Sequence, residues 1–192
     1  MDGYIHQLEE KIMSVTVIIS PGYGDSSPDH WQTWLNETLP NSVKVEQINW
    51  LSPQRDEWID GVQRTVESVE GPIILVGHSC GSVAVTQWAQ RYADSRVLGA
   101  ILVAPADVDD DYAMEEIKVQ RPLMLAKLPF PTVVVCSDND IHVSVERAHY
   151  FAECWGSKAV HVLNQAGHIN ADNGYGSWPQ MLEWIEELAK AW

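Results

Sequence analysis

Short apolar, β-branched runs alternate with stretches of helical period along nearly the whole chain, and this alternation is the feature that most limits what it can fold into. The runs at 14–20, 43–48, 73–76, 97–103, 132–137 and 159–163 read as six strands. Helical spacing occupies 30–38, 53–69, 81–92, 143–155 and 179–191. In the second of these Trp58, Ile59, Val62, Val66 and Val69 recur at steps of three and four along one face, and Gly71-Pro72 then stops the helix. Strands joined by helices cannot be hairpins, so the order predicts an α/β fold: a mainly parallel sheet of about six strands with helices on both faces. At 192 residues, near the roughly 150 used as a prior for one domain, and with no repeat or Pro/Gly/Ser-rich linker, the chain reads as a single domain over 14–192. Residues 1–13 read as an N-terminal arm or short docked helix.

Charge narrows the partners. With 12 basic against 27 acidic residues the formal charge is −15, which argues against nucleic-acid phosphates or an anionic membrane surface. No apolar run approaches the roughly 20 residues of a membrane helix, and Asp2, Glu9, Glu10 and Lys11 do not make a secretory signal. A cytoplasmic protein is expected. Cys80, Cys136 and Cys154 are odd in number and lack metal-ligand spacing, so neither a disulfide frame nor a metal site is expected.

Gly77-His78-Ser79-Cys80-Gly81 follows one predicted strand and opens one predicted helix. This is a G-x-S-x-G nucleophile elbow in the strand–turn–helix context that gives the pattern its meaning. The serine must project from a sharp turn that tolerates little bulk on either flank, and Gly77 and Gly81 meet that need. The helix N-terminus would face Ser79, and the Cys80 backbone N–H would be open to an oxyanion. Cys80 itself is an alternative nucleophile, since a helix N-terminus favours thiolate. The elbow gives its apex to Ser79.

A serine hydroxyl needs a base and an orienting carboxylate, in the chain order Ser, Asp, His for this architecture. Of seven histidines, His168 lies just past the last predicted strand, where such a base is presented. His161 reads as a packed strand residue, and the side chain of His78 is expected to leave on the side opposite Ser79. His142 and His149 fall in the segment that opens the fourth helix. Two acids, Asp138 and Asp140, follow the strand at 132–137; the spacing Ser137, Asp140, Val143 matches G-x-x-D-x-x-V with serine for glycine, which favours Asp140. For the second oxyanion donor the loop 20–25 offers the N–H of Tyr23, with Gly24 as substitute. Asp29 reads as the N-cap of the helix carrying Trp31 and Trp34, with His30 a candidate pocket residue. The insert 107–127, rich in aspartate at its start and holding Met114, Ile117, Leu123, Met124 and Leu125, reads as a flap at the ligand rim or as a solvated loop.

Together, Pro21-Gly22, Asp29-His30-Trp31-Gln32, Gly77-His78-Ser79-Cys80-Gly81, Ala104-Pro105-Ala106, Ser137-Asn139-Asp140 and Gly167-His168-Ile169-Asn170 resemble the small serine hydrolases grouped with retinoblastoma-binding protein 9. The resemblance spans about Val15 to Trp184. It implies a compact α/β-hydrolase fold without a large cap domain and a triad falling on Ser79, Asp140 and His168. Proline commonly follows the acid in that family, whereas Ile141 stands here.

The expected activity is cleavage of small carboxylic esters or amides, with no cofactor and no metal. A chain this short leaves little material for a lid, so short acyl groups are favoured over long-chain lipids. The rival class is a protein-interaction module on a hydrolase scaffold, suggested by nine tryptophans, of which Trp50 and Trp192 lie near element ends.

Overall fold

The computed structural model describes residues 14–190, so the expected arm at 1–13 and Trp192 lie outside the described residues. The described chain runs β1 (Thr16–Ser20), α1 (Trp31–Thr38), β2 (Ser42–Lys44), α2 (Arg55–Glu67), β3 (Ile73–His78), α3 (Cys80–Arg91), β4 (Val97–Val103), β5 (Thr132–Ser137), α4 (Val145–Trp155), β6 (Ala159–Leu163) and α5 (Gln180–Ala189). Among the described residues, six strands form one parallel sheet in the order β2-β1-β3-β4-β5-β6. The α/β class and the α/β-hydrolase fold expected from the sequence are those observed.

The period-two alternation of the strands sorts side chains between two cores. Ile73 and Leu75 of β3, Ala100 and Leu102 of β4, and Val134 and Cys136 of β5 pack under Trp58, Val62, Val83, Trp88, Phe151 and Trp155 of α2, α3 and α4. Their neighbours Ile74, Val76, Ile101, Val103, Val133 and Val135 pack under α1 and α5, against Trp31, Leu35, Met181, Trp184, Ile185 and Leu188. Because β3 and β4 are buried on both faces, they read in sequence as continuous apolar runs.

β2 is shorter than the 43–48 expected. The Val45 N–H still reaches the Ile19 carbonyl at 2.8 Å, but β1 ends at Ser20 and the next residue, Pro21, has no N–H with which to continue the ladder. The chain therefore turns away and leaves Ile48 71% exposed. The cap of α1 also differs from expectation. His30, not Asp29, is the N-cap, its ring Nδ1 accepting the Gln32 N–H at 3.1 Å. A neutral imidazole offers the same acceptor that a carboxylate would, and it stays buried while Asp29 is exposed.

The insert after β4 is docked rather than hinged. Ile117, Leu123 and Met124 are buried in the core under α3 and α4, and the Gln87 side chain donates to the carbonyls of Gln120 and Pro122 at 2.7 and 3.0 Å. Trp155 Nε1 donates to the Met124 carbonyl at 2.7 Å. Trp50, which the sequence places near an element end, is half-buried against Trp58 with ring centroids 5.8 Å apart.

The chain order reverses between β2 and β3, on either side of β1, which opens a crevice beyond the carboxyl ends of β1 and β3. There α3 starts hard against β1. A Cβ at Gly81 would fall on the carbonyl oxygens of Ser20 and Pro21, which are backbone and cannot swing away. Gly81→Ala is therefore expected to destabilise the protein by about 3 kcal/mol or more, at the upper end of overpacking costs, as read from urea denaturation. An unchanged midpoint would show that α3 can shift along the sheet.

Candidate active site

Ser79 sits at the apex between β3 and α3 with φ 53° and ψ −123°, a region that a side chain occupies at a cost on the order of 1–3 kcal/mol. The turn is held by the Ser79 N–H to the Val103 carbonyl at 3.0 Å and by the N–H groups of Ser82 and Val83 to the Ser79 carbonyl at 3.0 and 3.2 Å. A Cβ on Gly77 would strike the Ser82 backbone, so glycine is required on that flank.

His168 stands over the serine. Its Nε2 lies 2.9 Å from Ser79 Oγ, and its Nδ1 lies 2.8 and 3.0 Å from the two carboxylate oxygens of Asp140. The Asp140 side chain is fully enclosed, that of His168 is 14% exposed, and Asp140 Oδ1 also accepts the His142 N–H at 2.8 Å. A carboxylate can only accept, so it holds the proton on Nδ1 and leaves the Nε2 lone pair facing the hydroxyl. Asp138 is elsewhere: its Oδ1 accepts the Gln165 backbone N–H at 2.7 Å and the Gln165 amide at 3.1 Å.

The loops after β5 and β6 are stitched together by side chains that the sequence reading did not assign. Ser137 Oγ accepts the Ala166 N–H at 2.9 Å and donates to Asn139 Oδ1 at 2.8 Å, and that oxygen also accepts the Gly167 N–H at 2.7 Å. The only sequence signal for this was a cluster of Ser, Asp and Asn just past a strand, residues that bond to nearby backbone.

The loop after β1 presses on Ser79 from the other side, close enough that a Cβ on Gly22 would come within 3.0 Å of Ser79 Cβ. Within it the Gly24 N–H is committed to the Trp50 carbonyl at 2.9 Å, which leaves the Tyr23 N–H as the donor this loop offers; the Cys80 thiol beside the elbow is fully buried. Burial pushes that thiol up to about 12, outweighing the opposing Tyr23 N–H. Cys80 is thus a buried neutral thiol, contrary to the thiolate that its place at a helix N-terminus suggested.

A cavity of about 340 Å³ opens above Ser79, lined by Tyr23, Met114 and Ile117 with four histidines, His30, His78, His142 and His168. Asp25 and Asp172 also border it, Asp25 being paired with Lys44 at 2.9 Å. A second space of about 320 Å³ continues past His168 along Asn139, Asn170 and Asn173. Strand alternation sends His78 to the face of Ile74 and Val76, and the His168 loop lies on that face. The expectation that His78 points away from the site is therefore corrected. His161 stacks on Trp184 instead, with centroids 4.9 Å apart. Among the described residues no three His, Cys, Asp or Glu side chains are placed to hold a metal, and no helix is long and apolar enough to cross a membrane.

A buried serine and a buried carboxylate joined through a part-buried imidazole in hydrogen-bonded series, at the crevice of a parallel α/β sheet, define the class of α/β-hydrolase-fold proteins. The chain belongs to the serine hydrolase family, whose model matches residues 17–187. It is 24% identical over 179 residues to the protein YdeN of Bacillus subtilis, spanning 87% of this chain and 92% of that one. A YdeN-like protein from Pectobacterium atrosepticum superposes with a TM-score of 0.84 at 28% identity, over 98% of this chain and 96% of that chain. The type II thioesterase BorB of the borrelidin cluster shares the fold, with a TM-score of 0.65 at 16% identity over 92% of each chain.

The histidines around His168 are kept neutral. Burial, reinforced by His168, lowers His30 to about 4, and the same two causes lower His142 and hold His78 well below the ordinary value. A histidine of lowered pKa takes its proton more readily in the unfolded chain. Stability is therefore full above about pH 6.5 and is lost as the pH falls toward the folded values, at about 1.4 kcal/mol per pH unit for a histidine shifted as far as His30 or His78. Urea unfolding is expected to show a falling free energy between pH 6.5 and about 5. A flat profile over that interval would contradict the buried neutral cluster.

Proposed function

We propose that the protein hydrolyses small carboxylic esters or amides through an acyl-Ser79 intermediate. The observation that carries this reading is the 2.9 Å approach of His168 Nε2 to Ser79 Oγ while Nδ1 rests on Asp140. His168 takes the Ser79 proton as Oγ attacks the carbonyl carbon, and returns it to the leaving group as the tetrahedral intermediate collapses. Water then attacks the acyl-serine with the same base. Asp140 keeps the tautomer and stabilises the imidazolium, while the N–H groups of Tyr23 and Cys80 receive the oxyanion.

The cavity volume of about 340 Å³ is near the lower end for ligand sites, which favours short acyl groups. The finer likeness of the motifs to the group around retinoblastoma-binding protein 9 belongs to this proposal and supplies no substrate of its own. A cytoplasmic setting is part of the same reading, supported by the free thiols of Cys80, Cys136 and Cys154.

Labelling by a fluorophosphonate tests the assignment, because the probe reports how well the serine is activated. Ser79→Ala should abolish labelling. Asp140→Asn should slow both labelling and ester turnover by orders of magnitude, on the order of 10⁴ in the serine-protease case, while Asp138→Asn should cost far less. Full labelling of Ser79→Ala, or equal mild losses in the two asparagine variants, would overturn the reading.

A further inference from the structure

We propose that His78 is a positioning residue for His168: with Trp31 it clamps the backbone of the His168–Ile169 pair, and the clamp aims the imidazole at Ser79. The inference rests on the hydrolase reading above and deepens it. His78 Nε2 lies 2.9 Å from the His168 carbonyl, and Trp31 Nε1 donates to the next carbonyl, that of Ile169, at 2.9 Å. On the amino side of the same residue the His168 N–H donates to Asn173 Oδ1 at 2.9 Å.

The acceptor being a carbonyl, His78 must carry its proton on Nε2. Burial keeps the ring neutral, which leaves this one tautomer. The ring is itself wedged, its centroid 5.0 Å from that of His30 and 5.9 Å from that of Trp31. What the clamp holds is unfavourable backbone. Ile169 is fully buried and stands at φ 51°, a left-handed conformation that a β-branched residue adopts only when its surroundings impose it. Released, this pair would relax and carry the attached imidazole away from Ser79.

The placement also ties the two reacting side chains to one rigid point. Ser79 presents the hydroxyl, and the residue before it holds the loop of the base. Nucleophile and base are thus registered through adjacent residues of β3 and its turn, although His78 and His168 lie 90 positions apart.

The test compares His78→Gln with His78→Asn in the full chain, using a short p-nitrophenyl ester. Glutamine places an N–H at about the reach of Nε2; asparagine is equally polar but falls short. His78→Asn is expected to lower kcat by ~10–100-fold with KM within ~3-fold, the size of effect that follows from losing one buried hydrogen bond that orients a catalytic group. His78→Gln is expected to stay within ~5-fold of the unchanged protein even where both variants melt at similarly lower temperatures. Equal kcat in the two variants, or a loss confined to KM, would overturn the proposal. Should either variant fail to fold, Trp31→Phe removes the N–H to the neighbouring carbonyl, and an unchanged kcat there would overturn it as well. An unsubstituted protein that neither turns over the ester nor takes a fluorophosphonate would instead bring down the hydrolase reading, and the clamp with it.

Discussion

The site depends on a backbone turn held in a conformation that side chains avoid. Ser79 occupies φ 53° because three backbone hydrogen bonds, from its own N–H and to its own carbonyl, fix the turn, and because Gly77 and Gly81 let α3 and β1 close around it. Remove either glycine and a Cβ meets main chain. The consequence for chemistry is placement: the hydroxyl stands clear of the strand, at the mouth of the cavity, with the first turn of α3 behind it. The strain is local and is offset by a sheet buried on both faces, where Ile73, Leu75, Ile74 and Val76 anchor β3 between two cores.

The second half of the site is assembled by loop-to-loop bonding across the ends of β5 and β6. Ser137 and Asn139 fasten Ala166 and Gly167, Asp138 fastens Gln165, and Asn173 fastens His168. These contacts are made by small polar side chains to backbone groups that would otherwise be orphaned at the sheet edge. They let Asp140 and His168 meet although neither lies in a strand or helix. Lysine and arginine are absent from the described lining of the cavity, and the histidines beside His168 are neutral, so they place no fixed positive charge against its ring.

Local pattern made most of the fold legible. β4, β5 and β6 run over the residues that their apolar runs marked, and the helices end within two or three residues of the periodic stretches. The elbow was legible because glycine, serine and glycine at fixed spacing carry a steric meaning of their own. The spacing that preferred Asp140 to Asp138 corresponds to the observed positions of the two carboxylates, one on His168 and the other on Gln165. What escaped was tertiary. Local preference points to Asp29 as the N-cap of α1, whereas the folded chain buries His30 in that place. The sequence sends the His78 side chain to the side opposite Ser79, because nothing in a linear reading places the 165–170 loop on the α1 face of the sheet. Trp31 likewise meets the Ile169 carbonyl across 138 positions, a distance that no periodicity reaches.

The proposed chemistry requires a covalent acyl-Ser79 intermediate. Rapid mixing with a short p-nitrophenyl ester, followed by acid quench and intact-mass analysis with peptide mapping, addresses it directly. The predicted result is a burst of p-nitrophenol stoichiometric with enzyme and a mass gain equal to one acyl group, carried by the Ser79 side chain. Turnover with no protein-bound acyl group at any quench time, or an adduct mapped to the Cys80 thiol, would contradict it.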